Sequence, residues 1–170
     1  MQPITTIGYE GANPTDFDAT LASARVNVVV DVRAVAISRK AGFSKTALQD
    51  RLQANGLQYI HLRGLGDPKP GREAARAGDM ALFRQIFGAH LTTPDAQADL
   101  ATLKALAAAK TVALLCYESD PEGCHRSIIA KLVAKSVNLA IVHLSVEAQR
   151  APISGRSRAD NHSRQSLAAA

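Results

Sequence analysis

Apolar positions along the chain alternate between short β-branched runs and longer stretches with helical spacing. Residues 4–7 form a short strand-like run that ends in the turn Gly8-Tyr9-Glu10-Gly11. Asn13-Pro14 opens a helix with proline at its first position, and Phe17, Leu21 and Ala24 share its inner face. Residues 26–32 form a β-branched run around Asn27 and Asp31. No polar residue alternates within Val28-Val29-Val30, which predicts a strand covered on both faces, as in a parallel sheet. Asp31 and Arg33 follow, then a polar loop over 34–43. Ser44 is placed to cap a helix over 45–55, whose Leu48 and Leu52 face inward and which Gly56 closes.

Residues 57–62 read as a third strand, and 63–71, with Gly64, Gly66, Pro68, Pro70 and Gly71, as a loop. Two helices follow, over 74–90 (weakened early by Gly78) and over 95–109 after Thr93-Pro94. A fourth strand over 111–117, a loop over 118–123, a helix over 125–136 and a fifth strand over 139–144 complete the pattern. This order predicts an α/β three-layer sandwich: a mainly parallel sheet of about five strands with helices on both faces. Residues 1–150 are expected to form one domain. Residues 151–170, rich in Ser, Arg, Asn and Ala without apolar period, are expected to be a mobile or loosely attached tail.

The composition agrees with that architecture. Hydrophobic residues make up 46% of the 170, but aromatics only 4% and tryptophan none, so Val, Ile, Leu and Ala must fill the interior. The formal charge is +5, and three arginines against one aspartate in the tail leave the body at about +3. That mild excess favours anionic ligands without the concentrated basic stripe of a dedicated nucleic-acid binder. Two cysteines do not make a disulfide scaffold, no secretory apolar segment precedes them, and no run approaches a membrane span. These features lead us to expect no membrane partner, a cytoplasmic location and reduced thiols.

The chemistry-bearing residues cluster after strands. Tyr9 and Glu10 follow the first, Asp31 and Arg33 end the second, His61 and Arg63 end the third, and Cys116 and Glu118 end the fourth. Open α/β sheets bind ligands outside the carboxyl ends of their strands, so one shared cleft is expected. The helix starting near Cys124 adds free N–H groups and a favourable dipole, with Arg126 and Ser127 in its first turn. A cation is misplaced there for helix stability. Arg126 is therefore expected to hold an anion, or to pair with Asp31, Glu118 or Glu122.

A thiol at a helix N-terminus beside an arginine is expected to have a depressed pKa, which makes Cys124 a candidate nucleophile. Cys116 is a second candidate or a small core residue, and Glu118 or His125 would move protons. Tyr9, Glu10, Asp31, Arg33, Ser38, Arg39, His61, Arg126 and Ser127 are the ligand-binding candidates. Arg39, Lys40 and Lys45 flank Phe43-Ser44, either as a phosphate-accepting group or as a solvated loop, and His61 and His143 read as packed or capping histidines. Cys116, Glu118, Cys124 and His125 offer atoms that zinc or iron accepts. Their spacing is not a usual zinc arrangement, and adjacent Cys124 and His125 should diverge at a helix start, so no metal site is assigned. The cofactor is left unknown.

Several segments together resemble the family catalogued as domain of unknown function 488. They are Thr6-Ile7-Gly8-Tyr9-Glu10-Gly11, Val30-Asp31-Val32-Arg33, Ser38-Arg39, Gly42-Phe43-Ser44-Lys45, Leu65-Gly66, Leu114-Leu115-Cys116-Tyr117-Glu118 and Cys124-His125-Arg126. The resemblance runs over residues 4–144 and implies a compact α/β domain with a shared site, but no activity. A weaker likeness is to rhodanese-type sulfurtransferases and related phosphatases, onto whose strand-Cys-loop-Arg-Ser-helix plan Leu115-Cys116 and Arg126-Ser127 can be laid. The Cys116-to-Arg126 interval is too long for their compact anion cradle, and Glu118, Asp120 and Glu122 would repel an anionic substrate.

Four readings stay open. The first is an anionic small-molecule or nucleotide site, with or without thiol-dependent catalysis. The others are sulfurtransferase or phosphatase chemistry, a non-catalytic nucleic-acid or metabolite binding module, and a metal-holding or redox-sensing protein.

Overall fold

The computed structural model describes residues 2–147; the expected tail lies outside them. Five strands, β1 (Ile4–Gly8), β2 (Val28–Asp31), β3 (Gln58–His61), β4 (Val112–Cys116) and β5 (Ile141–Leu144), form one sheet in the order β3-β2-β4-β1-β5, every neighbouring pair parallel. Helices α1 (Pro14–Ser23) and α2 (Lys45–Ala54) cover one face, where Phe17, Leu21, Leu48 and Leu52 meet Ile7, Val29, Ala113 and Leu115. Helices α3 (Lys69–Arg76), α4 (Met80–His90), α5 (Pro94–Ala109) and α6 (His125–Val137) belong to the other, where Phe83, Phe87, Leu100, Leu103, Ile129 and Val133 meet Val28, Val30, Val112 and Leu114. The three layers and parallel sheet are those the hydrophobic pattern predicts. No helix among the described residues is long and apolar enough to cross a membrane.

Local chemistry sets the boundaries. Asn13 caps α1, its side chain accepting from Asp16 N at 2.9 Å, with Pro14 at the first position. The helix expected over 74–90 is two: Gly78 sits at φ +79°, a left-handed conformation that ends α3, and Asp79 then caps α4 through Leu82 N. The loop expected over 63–71 holds a 3₁₀ turn at Arg63–Leu65 and the first turn of α3, which tolerates Pro70 because an N-terminal N–H has no helical partner to lose. Ser44 precedes α2 but caps nothing through its side chain. Its hydroxyl donates to Ser38 O (2.9 Å) and accepts from Ser38 N (3.2 Å), tying down the loop after β2.

This topology positions the site. Strand β4 lies between β1 and β2, both of which lead into helices on the α1–α2 face, whereas β4 leads into α6 on the opposite face. Connections that diverge in this way leave a crevice at the carboxyl ends of the strands. Cys116 is the last residue of β4.

Candidate functional site

Three side chains converge at the end of β4. His125 Nδ1 lies 3.9 Å from Cys116 Sγ and 3.8 Å from Cys124 Sγ, and the three atoms are all within 4.8 Å of one another. The far ring nitrogen, Nε2, is 2.8 Å from the carbonyl of Val32. A carbonyl only accepts, so Nε2 carries a proton and Nδ1 is the nitrogen that exchanges one with the sulfurs. The expectation that Cys124 and His125 diverge is corrected by the backbone. Cys124 is the N-cap residue, extended at φ −116° and ψ 140°, so the rotation between successive helical residues does not apply to it.

Cys116, Cys124 and His125 are each at most 6% exposed. The neighbouring Cys124 thiol holds the Cys116 pKa below the ordinary thiol value against the opposing effect of burial. The backbone N–H groups of Tyr117 and Glu118 and the charge of Arg126 act in the same direction. Cys124 moves the other way: the neighbouring Cys116 thiol, burial and the Cys116 charge push it up. The expected depressed thiol at Cys124 is therefore corrected. Cys124 makes no capping bond, and its sulfur meets His125 Nδ1 instead. Burial opposes a charge on His125, but contact with Cys124, the Val32 carbonyl and the nearby Asp67 raise its pKa.

Arg126 is 1% exposed and faces the loop after β4 rather than the crevice. Its NH1 donates to Glu118 O, its NH2 to Ser119 O at 3.0 Å and its Nε to Thr6 Oγ1 at 3.4 Å. The expected partners were carboxylates or an anion; the observed ones are two main-chain carbonyls and a hydroxyl. Ser127 completes the tie, its hydroxyl donating to Pro121 O at 2.5 Å. Gly8 makes the loop's close approach possible, since a Cβ there would stand 1.8 Å from Glu118 O.

Asp31 and Arg33 form a closed pair. Arg33 Nε and NH2 fork onto Oδ1 (2.8 Å) and Oδ2 (2.5 Å) of fully buried Asp31, and NH1 donates to Tyr9 OH and Phe43 O. Tyr59 OH donates to Asp31 Oδ2 at 2.6 Å, and burial together with the Asp31 carboxylate pushes its phenol pKa up, against the opposing effect of Arg33. The intervening Val32 donates its N–H to Leu115 O and offers its carbonyl to His125. The Asp-x-Arg piece thus lies next to the Cys-His-Arg piece and grips the peptide that orients His125. Both arginines build the rim instead of presenting free donors to a ligand.

The remaining candidates divide. Glu10 accepts from Ser119 N and Oγ, both at 3.0 Å, joining the loops after β1 and β4. Glu118 is exposed and does not join the thiol–imidazole trio; desolvation and the charge of Glu10 raise its pKa. His61 Nε2 bonds Arg33 O at 2.8 Å, and exposed His143 pairs with Thr6 Oγ1 at 2.7 Å. Ser38 accepts from Lys40 N, and Arg39 is exposed. Asp67 was not anticipated. It is 4% exposed, its Oδ1 has no hydrogen-bond partner, and burial raises its pKa while His125, Arg72 and His90 oppose the rise. An acidic residue between Gly66 and Pro68 at the carboxyl edge of the sheet was the available signal.

The trio can act in two ways. A protonated His125 beside a Cys116 thiolate is a nucleophile with its proton donor. Two thiolates and a bare Nδ1 also match three corners of a tetrahedral zinc or iron site, where sulfur–nitrogen separations are about 3.5 Å. Two surface hollows, one beside Arg25, Asn27 and Lys110 and one beside Asp16, Thr20 and His143, lie apart from it.

A family model described as "Domain of unknown function DUF488" matches residues 15–133, which spans β2 to β4, both cysteines and most of α6. Neither a curated protein nor a solved structure matches the chain.

Proposed function

We propose, for a chain that belongs to the DUF488 family, a thiol-dependent activity in which Cys116 is the nucleophile and His125 its proton partner. The observation that carries this reading is the convergence of Cys116 Sγ and Cys124 Sγ on one imidazole nitrogen, with the other nitrogen anchored to Val32 O. The position supports it too, because Cys116 ends the strand at which the chain's connections diverge. Cys124 Sγ lies within 4.8 Å of Cys116 Sγ, and the neighbouring thiol and the N–H groups of Tyr117 and Glu118 lower the Cys116 pKa despite burial.

The enclosure limits the substrate. With both sulfurs nearly inaccessible, and Arg33 and Arg126 committed to internal partners, the site suits a small electrophile better than a nucleotide or a nucleic-acid end. In the attacking step Cys116 Sγ bonds to the electrophilic atom and His125 Nδ1 hands its proton to the leaving group.

Alkylation by iodoacetamide at neutral pH tests the reading. Cys116 is expected to react about tenfold faster than glutathione, and Cys124 more slowly than Cys116, resolved by peptide mass spectrometry. His125→Gln should remove most of the advantage. Equal, slow labelling of both thiols would remove the nucleophile. Stoichiometric zinc or iron in protein purified without an affinity tag would assign the trio to a metal instead.

A further inference from the structure

Cys124 is the feature that simple nucleophilic chemistry leaves unused. A lone activated cysteine needs a base and positive dipoles. It does not need a second buried thiol within 4.8 Å, sharing the same imidazole nitrogen and kept protonated. The two cysteines differ in how they are mounted. Cys116 ends the central strand β4 and pairs with Gly8 of β1, while Cys124 sits at the end of a mostly exposed seven-residue loop, outside the regular turns of α6.

We infer that the Cys116–Cys124 pair reduces hydroperoxides, Cys116 taking the oxygen and Cys124 closing an intramolecular disulfide. The inference rests on the nucleophile reading above and names its substrate class. A hydroperoxide is small, uncharged at neutral pH and electrophilic at oxygen, which meets the constraints of a buried thiolate whose neighbouring arginines, Arg33 and Arg126, are committed to internal partners.

The step balances with the groups present. Cys116 thiolate attacks the terminal peroxide oxygen: an S–O bond forms, the O–O bond breaks, and the departing alkoxide takes the Nδ1 proton of His125. Cys116 is left as a sulfenic acid and His125 neutral. The now basic Nδ1, 3.8 Å from Cys124 Sγ, accepts that thiol's proton. Cys124 sulfur attacks Cys116 sulfur, the S–S bond forms, the S–O bond breaks, and the hydroxide leaves as water with the same proton. Two thiols are oxidised and one hydroperoxide is reduced to an alcohol and water. An external dithiol, exchanging with the disulfide, returns the protein to its starting state.

Closure requires the sulfurs to approach from within 4.8 Å to about 2.05 Å. The Arg126 and Ser127 bonds hold the loop's carbonyls, not the Cys124 side chain, so that approach does not require them to break.

The test uses reduced full-length chain and hydrogen peroxide, the smallest hydroperoxide, read by intact mass after acid quench and alkylation. Wild type should lose two hydrogens, resist alkylation and recover both thiols with dithiothreitol. Cys124→Ser should stop at a sulfenic acid trapped by dimedone on Cys116, and Cys124→Ala, which adds no hydroxyl, should behave alike. Cys116→Ser should consume no hydroperoxide. Fast iodoacetamide labelling of Cys116 without disulfide formation would overturn this inference and leave the nucleophile reading standing. Slow labelling with no oxidation would remove both. A disulfide that links two chains instead of two residues of one would also overturn it.

Discussion

Replacing Arg33 by methionine tests whether the Asp-x-Arg piece is architecture. The substitution keeps the aliphatic stem and removes the guanidinium, which donates to both oxygens of Asp31, to Tyr9 OH and to Phe43 O. Asp31, fully buried, would keep only Tyr59 OH and the Arg33 backbone N–H. Breaking a buried ion pair by removing one partner costs about 3–5 kcal/mol, because the remaining charge stays desolvated. At roughly 2–4 °C per kcal/mol for a domain of this size, Tm should fall by about 10 °C. Urea unfolding followed by helical signal measures the free energy directly, and an unchanged slope would place the loss in the native state. Asp31→Leu in the same chain removes the stranded charge. The double variant should then be less destabilised than the sum of the single changes, the gap being the coupling of the pair. His125 hangs on the carbonyl between these residues, so Arg33→Met should also slow Cys116 alkylation several-fold. A loss below about 1 kcal/mol with intact alkylation would refute the reasoning and return Arg33 to the pool of ligand contacts.

Three other outcomes follow from the geometry. Gly8→Ala drives a Cβ into the backbone of Glu118 and Ser119, which cannot yield as a side chain would; it should cost about 3 kcal/mol and slow Cys116 alkylation, checked by unfolding and labelling together. The alkylation rate of Cys116 should rise with a midpoint below that of an ordinary thiol such as glutathione, since its pKa is lowered, and a midpoint at or above glutathione's would contradict the lowering by its neighbours. Asp67→Asn tests a raised carboxylate: the folded form holds its proton more tightly, so its contribution to stability is fully present below about pH 3.9 and is lost as pH rises through the higher folded value. The variant should therefore gain Tm relative to wild type across that window and show no gain below it, read by thermal melts from pH 3 to 7.

Much of the fold was legible because parallel strands buried on both faces leave runs such as Val28-Val29-Val30, and caps such as Asn13-Pro14 are local chemistry. The first turn of α3 was not. Pro70 and Gly71 look like loop residues in sequence, yet the proline costs nothing at a helix start, and a Cβ on Gly71 would lie 2.1 Å from Asp67 Oδ1. The site followed the same division. That Cys116, Arg33 and Glu10 gather at one sheet edge follows from strand order, whereas the partner each chooses is a tertiary matter. Arg126 in the first turn of α6 was a sound sign of an unusual role, but nothing local says that the loop's carbonyls, rather than an anion, would take it. Cys124 misled for a similar reason: the dipole argument applies to the helix start, while the neighbouring thiol decides where the proton sits.

The absence of tryptophan has a practical consequence. All three tyrosines ring the carboxyl edge of the sheet: Tyr9 stacks on Phe43 at 4.6 Å and meets Tyr117 edge-on at 5.3 Å, and Tyr59 bonds Asp31. Near-ultraviolet dichroism and phenol emission from the folded domain therefore originate beside Cys116, with no indole elsewhere to mask them. Oxidation, alkylation or metal loading at the thiols can be followed optically without a label.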